Sequence, residues 1–264
     1  MHLDSALHPT FGQHSLPGPR DLESIALLLD VDGTILDMAV TPGSVVVTDS
    51  LIQSLKELHI KCGGALALVS GRLIHDLDNL FAPLRLPAIG AHGAEMRLST
   101  ESSTCARHPE TIGEALRKLV TAVVNDDPRL LLEDKGTSLA VHYRLAPQME
   151  QPLKTKIAAI VARVAGDDLE IMHSKAAIEI KSAHYSKGAA VRELMRKAPF
   201  LHRRPIFVGD DTTDETVFEI LPKFGGSGYA VERQMRGANG IFGSPHEVRS
   251  WLAELCRPNG RSDQ

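Results

Sequence analysis

Ile25-Ala-Leu-Leu-Leu29 runs directly into Asp30-Val-Asp-Gly-Thr34, and that junction decides the fold class. Five apolar residues without alternation predict a strand buried on both faces, the habit of a parallel sheet covered by helices. Three further apolar runs end as abruptly. Ala65-Leu-Ala-Leu-Val69 leads into Ser70-Gly-Arg72, Pro87-Ala-Ile89 into Gly90-Ala-His-Gly-Ala-Glu95, and Ile206-Phe-Val208 into Gly209-Asp-Asp-Thr-Thr-Asp-Glu215. Helical spacing lies between them, as in Thr48 to Leu58, where Leu51, Leu55 and Leu58 share a face. Strand, helix, strand predicts an α/β protein with a Rossmann-like open parallel-sheet core. Ligands of such sheets bind beyond the carboxyl ends of the strands. Polar residues as far apart as Asp30 and Asp210 are therefore expected in one crevice.

The middle of the chain reads differently. Ile112 to Val124 is helix-like, Leu130–Leu132 and Leu139–Tyr143 read as strands around Asp134-Lys-Gly136, and Gln151 to Val164 is again helical. Leu169–Met172 and Ala177–Ile180 read as two more strands. The order αββαββ cannot continue a doubly wound sheet, and it predicts an inserted α+β cap at 108–183. The core would then comprise 21–107 and 184–256, with loose polar tails at 1–20 and 257–264.

Composition narrows the function classes. The 264 residues carry 29 Lys and Arg against 33 Asp and Glu, a net charge of −4. No overall basic excess points to nucleic acid or an anionic membrane. Three scattered cysteines, Cys62, Cys105 and Cys256, form no disulfide framework, which favours a reducing compartment. Met1 to Arg20 lacks the apolar block of a signal peptide, and no stretch approaches the ~18 apolar residues of a membrane helix. A cytoplasmic protein with no membrane or nucleic-acid partner is expected.

Two carboxylates two residues apart at a buried strand end repel each other. At 4 Å the cost is about 4 kcal/mol even at an effective dielectric of 20. Mg²⁺, which takes oxygens from one or two carboxylates plus a substrate phosphate, is the natural counter-ion. Gly33 permits a tight turn that brings backbone N–H groups toward an anion. Asp210, Asp211, Asp214 and Glu215 form a second acidic cluster at another strand end. Asp210 is expected at the metal, with Asp211 or Asp214 beside it; Asp214 and Glu215 could equally serve a helix N-terminus running through Thr216, Val217, Phe218 and Leu221. Ser186-Lys187-Gly188 opens another helix, and Lys187 could hold a phosphoryl group. Ser70-Gly-Arg72 offers a hydroxyl and N–H groups to a phosphate oxygen.

This ordered set of motifs resembles that of the haloacid-dehalogenase-like phosphohydrolases. Gly90-Ala-His-Gly-Ala-Glu95, Leu132-Glu-Asp-Lys-Gly136, His142-Tyr-Arg144, Lys175 with Glu179, and Gly209–Glu215 narrow the resemblance to trehalose-6-phosphate phosphatases, over roughly 24–255. Val31, Ser182 and Ser186 stand where an aromatic, Pro and Asn are common, and none of these departures removes a charged group. The resemblance implies that Asp30 is the nucleophile of an aspartyl-phosphate intermediate and Asp32 the acid and then the base. For that Asp32 would need its pKa raised from about 3.9. It implies Mg²⁺ on Asp30, the Asp32 backbone carbonyl and Asp210, with Asp211 as a further candidate. Ser70 and Lys187 would hold the transferring phosphoryl group. Arg72 and His92 would adjoin the substrate; Glu133, Lys135 and Glu179 would grip sugar hydroxyls, and Arg144 and Lys175 would reach the phosphate side. The partner implied is a small-molecule sugar phosphate, with a functional pairing to a trehalose-6-phosphate synthase.

Two alternatives remain open at this point. A sister capped phosphatase would act on sucrose 6-phosphate, a mannosyl-phosphoglycerate or another sugar phosphate. A non-catalytic phospho-receiver shares acidic strand ends and a lysine, but it needs no insert of this size.

Overall fold

The chain is described by a computed structural model over residues 16–18, 20–38, 45–103, 105–106, 112–164, 168–174 and 176–257. β1 (Ile25–Leu29) has all five residues buried. Successive side chains of a strand point to opposite faces, and β1 feeds two separate apolar clusters accordingly. Ile25, Leu27 and Leu29 pack with Leu51, Leu55 and Leu58 of α1 (Asp49–Lys61) and with Trp251, Leu252 and Leu255 of α7 (Pro245–Cys256). Ala26 and Leu28 pack with Val191 and Leu194 of α5 (Lys187–Leu194) and with Phe218 of α6 (Glu215–Phe218). Thr48 starts α1 as the spacing predicts, its Oγ1 accepting from Leu51 N at 3.3 Å.

Around β1 lie β2 (Leu66–Val69), β3 (Ala88–Gly90), β4 (Glu95–Arg97), β5 (Cys105–Ala106), β10 (Arg204–Gly209), β11 (Ser227–Val231) and β12 (Gly240–Phe242). Their order among the described residues is β12-β11-β10-β1-β2-β3-β4-β5. The pairing is parallel from β12 to β3, and β4 runs antiparallel to β3. The register sets the site. Leu29 sits opposite both Val208 and Leu68, and Val69 opposite Ile89. Asp30, Ser70 and Asp210, which follow β1, β2 and β10, therefore emerge with the end of β3 at the carboxyl ends of the parallel strands. A fold with a parallel-sheet α/β core is thus as the apolar runs predict.

The backbone divides into two compact units, Met1–Cys105 with Lys187–Gln264, and Ala106–Ser186. The second unit contains α3 (Glu114–Asn125), β6 (Leu131–Asp134), β7 (Ser138–His142), α4 (Glu150–Val164), β8 (Leu169–Ser174) and β9 (Ala177–Ser182). Its strands form an antiparallel sheet in the order β6-β7-β9-β8. One face is apolar: Leu139, Val141, Ile178 and Ile180 pack with Leu116, Val120 and Val123 of α3 and Leu153, Ile157 and Val161 of α4. The other face is polar. A single row of register partners there runs Glu133, Ala140, Glu179, Met172. Among the described residues no helix is long and apolar enough to cross a membrane.

Candidate active site

Asp30 emerges from the centre of the sheet with its backbone N–H still bonded to Val208 O at 2.9 Å. Its carboxylate is almost fully enclosed, and each oxygen has a partner. Lys187 Nζ donates to Oδ1 at 2.7 Å, and Thr34 Oγ1 donates to Oδ2 at 3.0 Å. Lys187 is the first residue of α5 and is 3% exposed. The same ammonium donates to Asp214 Oδ1 at 2.7 Å. The approach of α5 to this corner requires Gly188: a Cβ there would lie 2.0 Å from Thr216 O. Asp214 accepts on its other oxygen from Asp211 N at 3.0 Å, which closes the turn after β10.

Asp210 comes off the end of β10 and is buried. Gly33 makes room for it. The residue has φ of +79°, and a Cβ would stand 2.2 Å from Asp210 Oδ2. One carboxylate oxygen each from Asp30, Asp210 and Asp214 lies within 4.8 Å of the others. Burial pushes Asp30 up to about 7, with Lys187 opposing the rise and Asp214 and Asp32 adding to it. Burial also raises Asp214. For Lys187, burial works against the charged form, but Asp214 and Asp30 outweigh it and hold the ammonium above its usual value. Three carboxylates are crowded together at this corner. A hard divalent cation with oxygen ligands fits that donor set, so the acidic cluster can bind a metal.

Asp211, expected beside Asp210 as a metal ligand, is engaged differently. It caps the short turn, its Oδ1 accepting from Thr212 N at 2.7 Å and lying 3.6 Å from Arg233 Nη2. The carboxylate that joins Asp30 and Asp210 is that of Asp214. Asp32 is also outside the trio: both its oxygens accept from Arg72, Oδ2 from Nε at 2.6 Å and Oδ1 from Nη2 at 2.7 Å.

The strand-end segments after β2 and β3 lock together. Ser70 is buried; its N–H bonds to Ile89 O at 2.9 Å, and its Oγ accepts from Arg72 N at 3.1 Å. His92 is buried in a left-handed conformation, φ +53°, and its N–H bonds to Ser70 O at 3.1 Å. Its ring lies against Gly71, where a Cβ would be 2.4 Å from Nε2. Glu95 accepts from Ile74 N at 2.8 Å, at the start of α2 (Ile74–Leu80).

In the second unit the polar sheet face holds another cluster. Glu179 Oε1 accepts from Ser138 Oγ at 2.6 Å and from Lys135 Nζ at 3.2 Å. Glu133 Oε2 lies 2.9 Å from His142 Nε2. That hydrogen bond, with Lys135 nearby, holds the Glu133 carboxyl below its usual value against the effect of burial. Lys135 and Glu179 side chains are 8% and 11% exposed, which is unusual for charges that merely face solvent. Arg144 follows β7 by two residues and is half-buried. Lys175 lies outside the described residues.

Several participants escaped the sequence. Thr34 stands inside the quoted motif, but its bond to Asp30 has no periodic signal. Ser138 has none either. His142 is in the quoted His-Tyr-Arg triplet, yet only the antiparallel register of β6 and β7 brings it beside Glu133.

Residues 28–239 match the trehalose-phosphatase family. A probable trehalose-phosphate phosphatase of Sinorhizobium fredii is 42% identical over 261 residues, covering 97% of each chain. The trehalose-6-phosphate phosphatase of Escherichia coli is 35% identical over 244 residues, covering 90% of this chain and 91% of that one. Among solved structures, the C-terminal domain of Candida albicans trehalose-6-phosphate phosphatase superposes with a TM-score of 0.78 over 90% of this chain and 94% of that one, at 20% identity. That likeness is one of fold.

Proposed function

The chain belongs to the trehalose-phosphatase family, and from that membership we propose that it hydrolyses trehalose 6-phosphate to trehalose and inorganic phosphate. The observation that supports this chemistry most is Lys187, buried and bonded to both Asp30 and Asp214, with Asp210 in the same cluster. Phosphate monoesters are among the slowest bonds to hydrolyse unaided, and a buried nucleophile, acid and cation site are proportionate equipment.

Asp30 attacks phosphorus, forming an aspartyl-phosphate as the bond to the sugar oxygen breaks. Asp32 gives its proton to that departing oxygen, releasing trehalose. A water then attacks the aspartyl-phosphate, Asp32 takes the water's proton, and phosphate leaves with Asp30 regenerated. Lys187 and Ser70 hold the phosphoryl oxygens while this happens. Asp30, Asp210 and the Asp32 backbone carbonyl would hold Mg²⁺, which would supply positive charge to the transferring phosphoryl group. Asp214 fits as the residue that fixes Lys187 and adds charge near the ion; Asp211 fits as a cap for that turn.

Glu133, Lys135 and Glu179 are proposed to hydrogen-bond the sugar hydroxyls, and Arg144 and Lys175 to reach the phosphate side. Support for the sugar role comes from two largely buried charged residues, Glu179 on the polar sheet face and Lys135 in the turn after β6, since charge-assisted bonds suit a ligand rich in hydroxyls. Arg72 and His92 adjoin the phosphate segment. A synthase that makes the phosphorylated disaccharide is the functional partner, and the cytoplasm is the compartment. The test is phosphate release from a panel of sugar phosphates with Mg²⁺ and with a chelator. Trehalose 6-phosphate should be preferred and the chelator should stop it; equal rates across the panel, or chelator-insensitive turnover, would overturn the proposal.

A further inference from the structure

Arg72 and Asp32 form an ion pair through two contacts, and its geometry bears on what Arg72 does besides adjoining the substrate. Two parallel contacts, 2.6 Å from Nε to Oδ2 and 2.7 Å from Nη2 to Oδ1, make a fork that fixes both the position and the plane of the carboxylate. Both ends of the fork are anchored. Asp32 is held by the tight turn in which Gly33 N bonds to Leu36 O at 2.8 Å. Arg72 is held by its own N–H to Ser70 Oγ and by Ala91 N, which bonds to Arg72 O at 2.7 Å. Gly90 keeps that segment close, since a Cβ there would come within 2.9 Å of Arg72 O. The Asp32 side chain is 31% exposed and would otherwise have rotamers to sample. Lys187, meanwhile, is committed to Asp30 and Asp214.

We infer that Arg72 is a positioning residue for Asp32: its rigid guanidinium sets the carboxyl where the proton must pass to the leaving oxygen. A general acid works only within hydrogen-bond reach, roughly 2.6–3.2 Å, of the atom it protonates. A misplacement of about 1 Å costs on the order of a hundredfold. The inference rests on the phosphatase reading above and goes beyond it, because a phosphate-binding arginine and an acid-positioning arginine fail differently.

The step that Asp32 serves matters most when the leaving group is a poor one. A sugar alkoxide needs the proton; p-nitrophenolate departs without it. The experiment compares single-turnover cleavage of trehalose 6-phosphate and the first-turnover burst of p-nitrophenolate from p-nitrophenyl phosphate, in wild type, Arg72→Ala, Arg72→Lys and Asp32→Asn. Arg72→Ala should slow the sugar ester by about a hundredfold, and by at least about tenfold more than the aryl ester. Arg72→Lys, which keeps the charge but not the fork, should show the same split. Adding Arg72→Ala to Asp32→Asn should cost little more than Asp32→Asn alone. Equal losses on both esters, or restoration by lysine, would overturn the inference while leaving the phosphatase reading intact. Wild-type enzyme that cleaves neither ester would overturn both. Thermal unfolding of each variant separates a folding failure from the split, and Arg72→Lys preserves the stem that packs if Arg72→Ala does not fold.

Discussion

Replacing Lys187 by Met removes an ammonium bonded to both Asp30 and Asp214 while keeping most of the side-chain volume. The three side chains are 3%, 6% and 0% exposed, and both N–O distances are 2.7 Å. At that separation and an effective dielectric of 20, each attraction is about 6 kcal/mol. The net loss is smaller, because the two orphaned carboxyls take up protons instead of remaining charged. Breaking a buried pair in this way costs about 3–5 kcal/mol. The sign with pH follows from the raised carboxyls. Asp30 already sits near 7, above its unfolded value of 3.8, so its contribution to stability is present at low pH and lost as pH rises through 7. Without Lys187 both carboxyls move higher still. The destabilisation of Lys187→Met relative to wild type should therefore be larger at pH 8 than at pH 6, by about 1.4 kcal/mol for each pH unit above 7 over which Asp30 stays protonated in the variant alone. Urea unfolding followed by fluorescence reads this unit, because Trp251 is the only tryptophan and is buried in it. A loss below about 1 kcal/mol at pH 8, or one that does not change between pH 6 and pH 8, would refute the electrostatic description of the site.

Two further outcomes are expected. Gly188→Ala places a methyl where Thr216 O stands 2.0 Å away, so α5 must shift; stability should fall by about 1–3 kcal/mol and turnover should fall with it, measured by urea unfolding and phosphate release. Glu179→Ala leaves Ser138 Oγ and Lys135 Nζ without their shared acceptor; KM for trehalose 6-phosphate should rise far more than KM for p-nitrophenyl phosphate, and an equal rise in both would remove the sugar assignment.

The central strands were legible because a strand buried on both faces can hardly be written otherwise: Ile25–Leu29 and Leu66–Val69 are uninterrupted apolar runs. Segments with weaker signals were not. Ser227-Gly-Tyr-Ala-Val231 is a buried strand, yet Ser227 and Gly228 break the apolar run that would mark it. Gly228 is there because a Cβ would meet Phe218 Cδ1 at 2.3 Å, a constraint that exists only after the chain has folded. Gly240–Phe242 is too short to show alternation. The acidic strand ends announced a carboxylate cluster, but which carboxylate joins Asp30 and Asp210 depends on a single turn of backbone. Asp211 and Asp214 are equivalent in composition and differ only in which one the turn aims at Lys187 and which at Thr212 N. Arg72 was legible as part of the loop that follows a buried strand. Its bond to Asp32, 40 residues away, was not, since no local pattern encodes the approach of two loops.

The claim on which the mechanism depends is that Asp30 becomes covalently phosphorylated. Enzyme mixed with trehalose 6-phosphate and Mg²⁺, quenched in acid within the first turnover and reduced with borohydride, converts an aspartyl-phosphate to homoserine at the residue that bore it. Peptide mass spectrometry should find homoserine at position 30 alone, and none in Asp30→Asn. Homoserine at another aspartate, or full phosphate release by Asp30→Asn, would contradict the assignment.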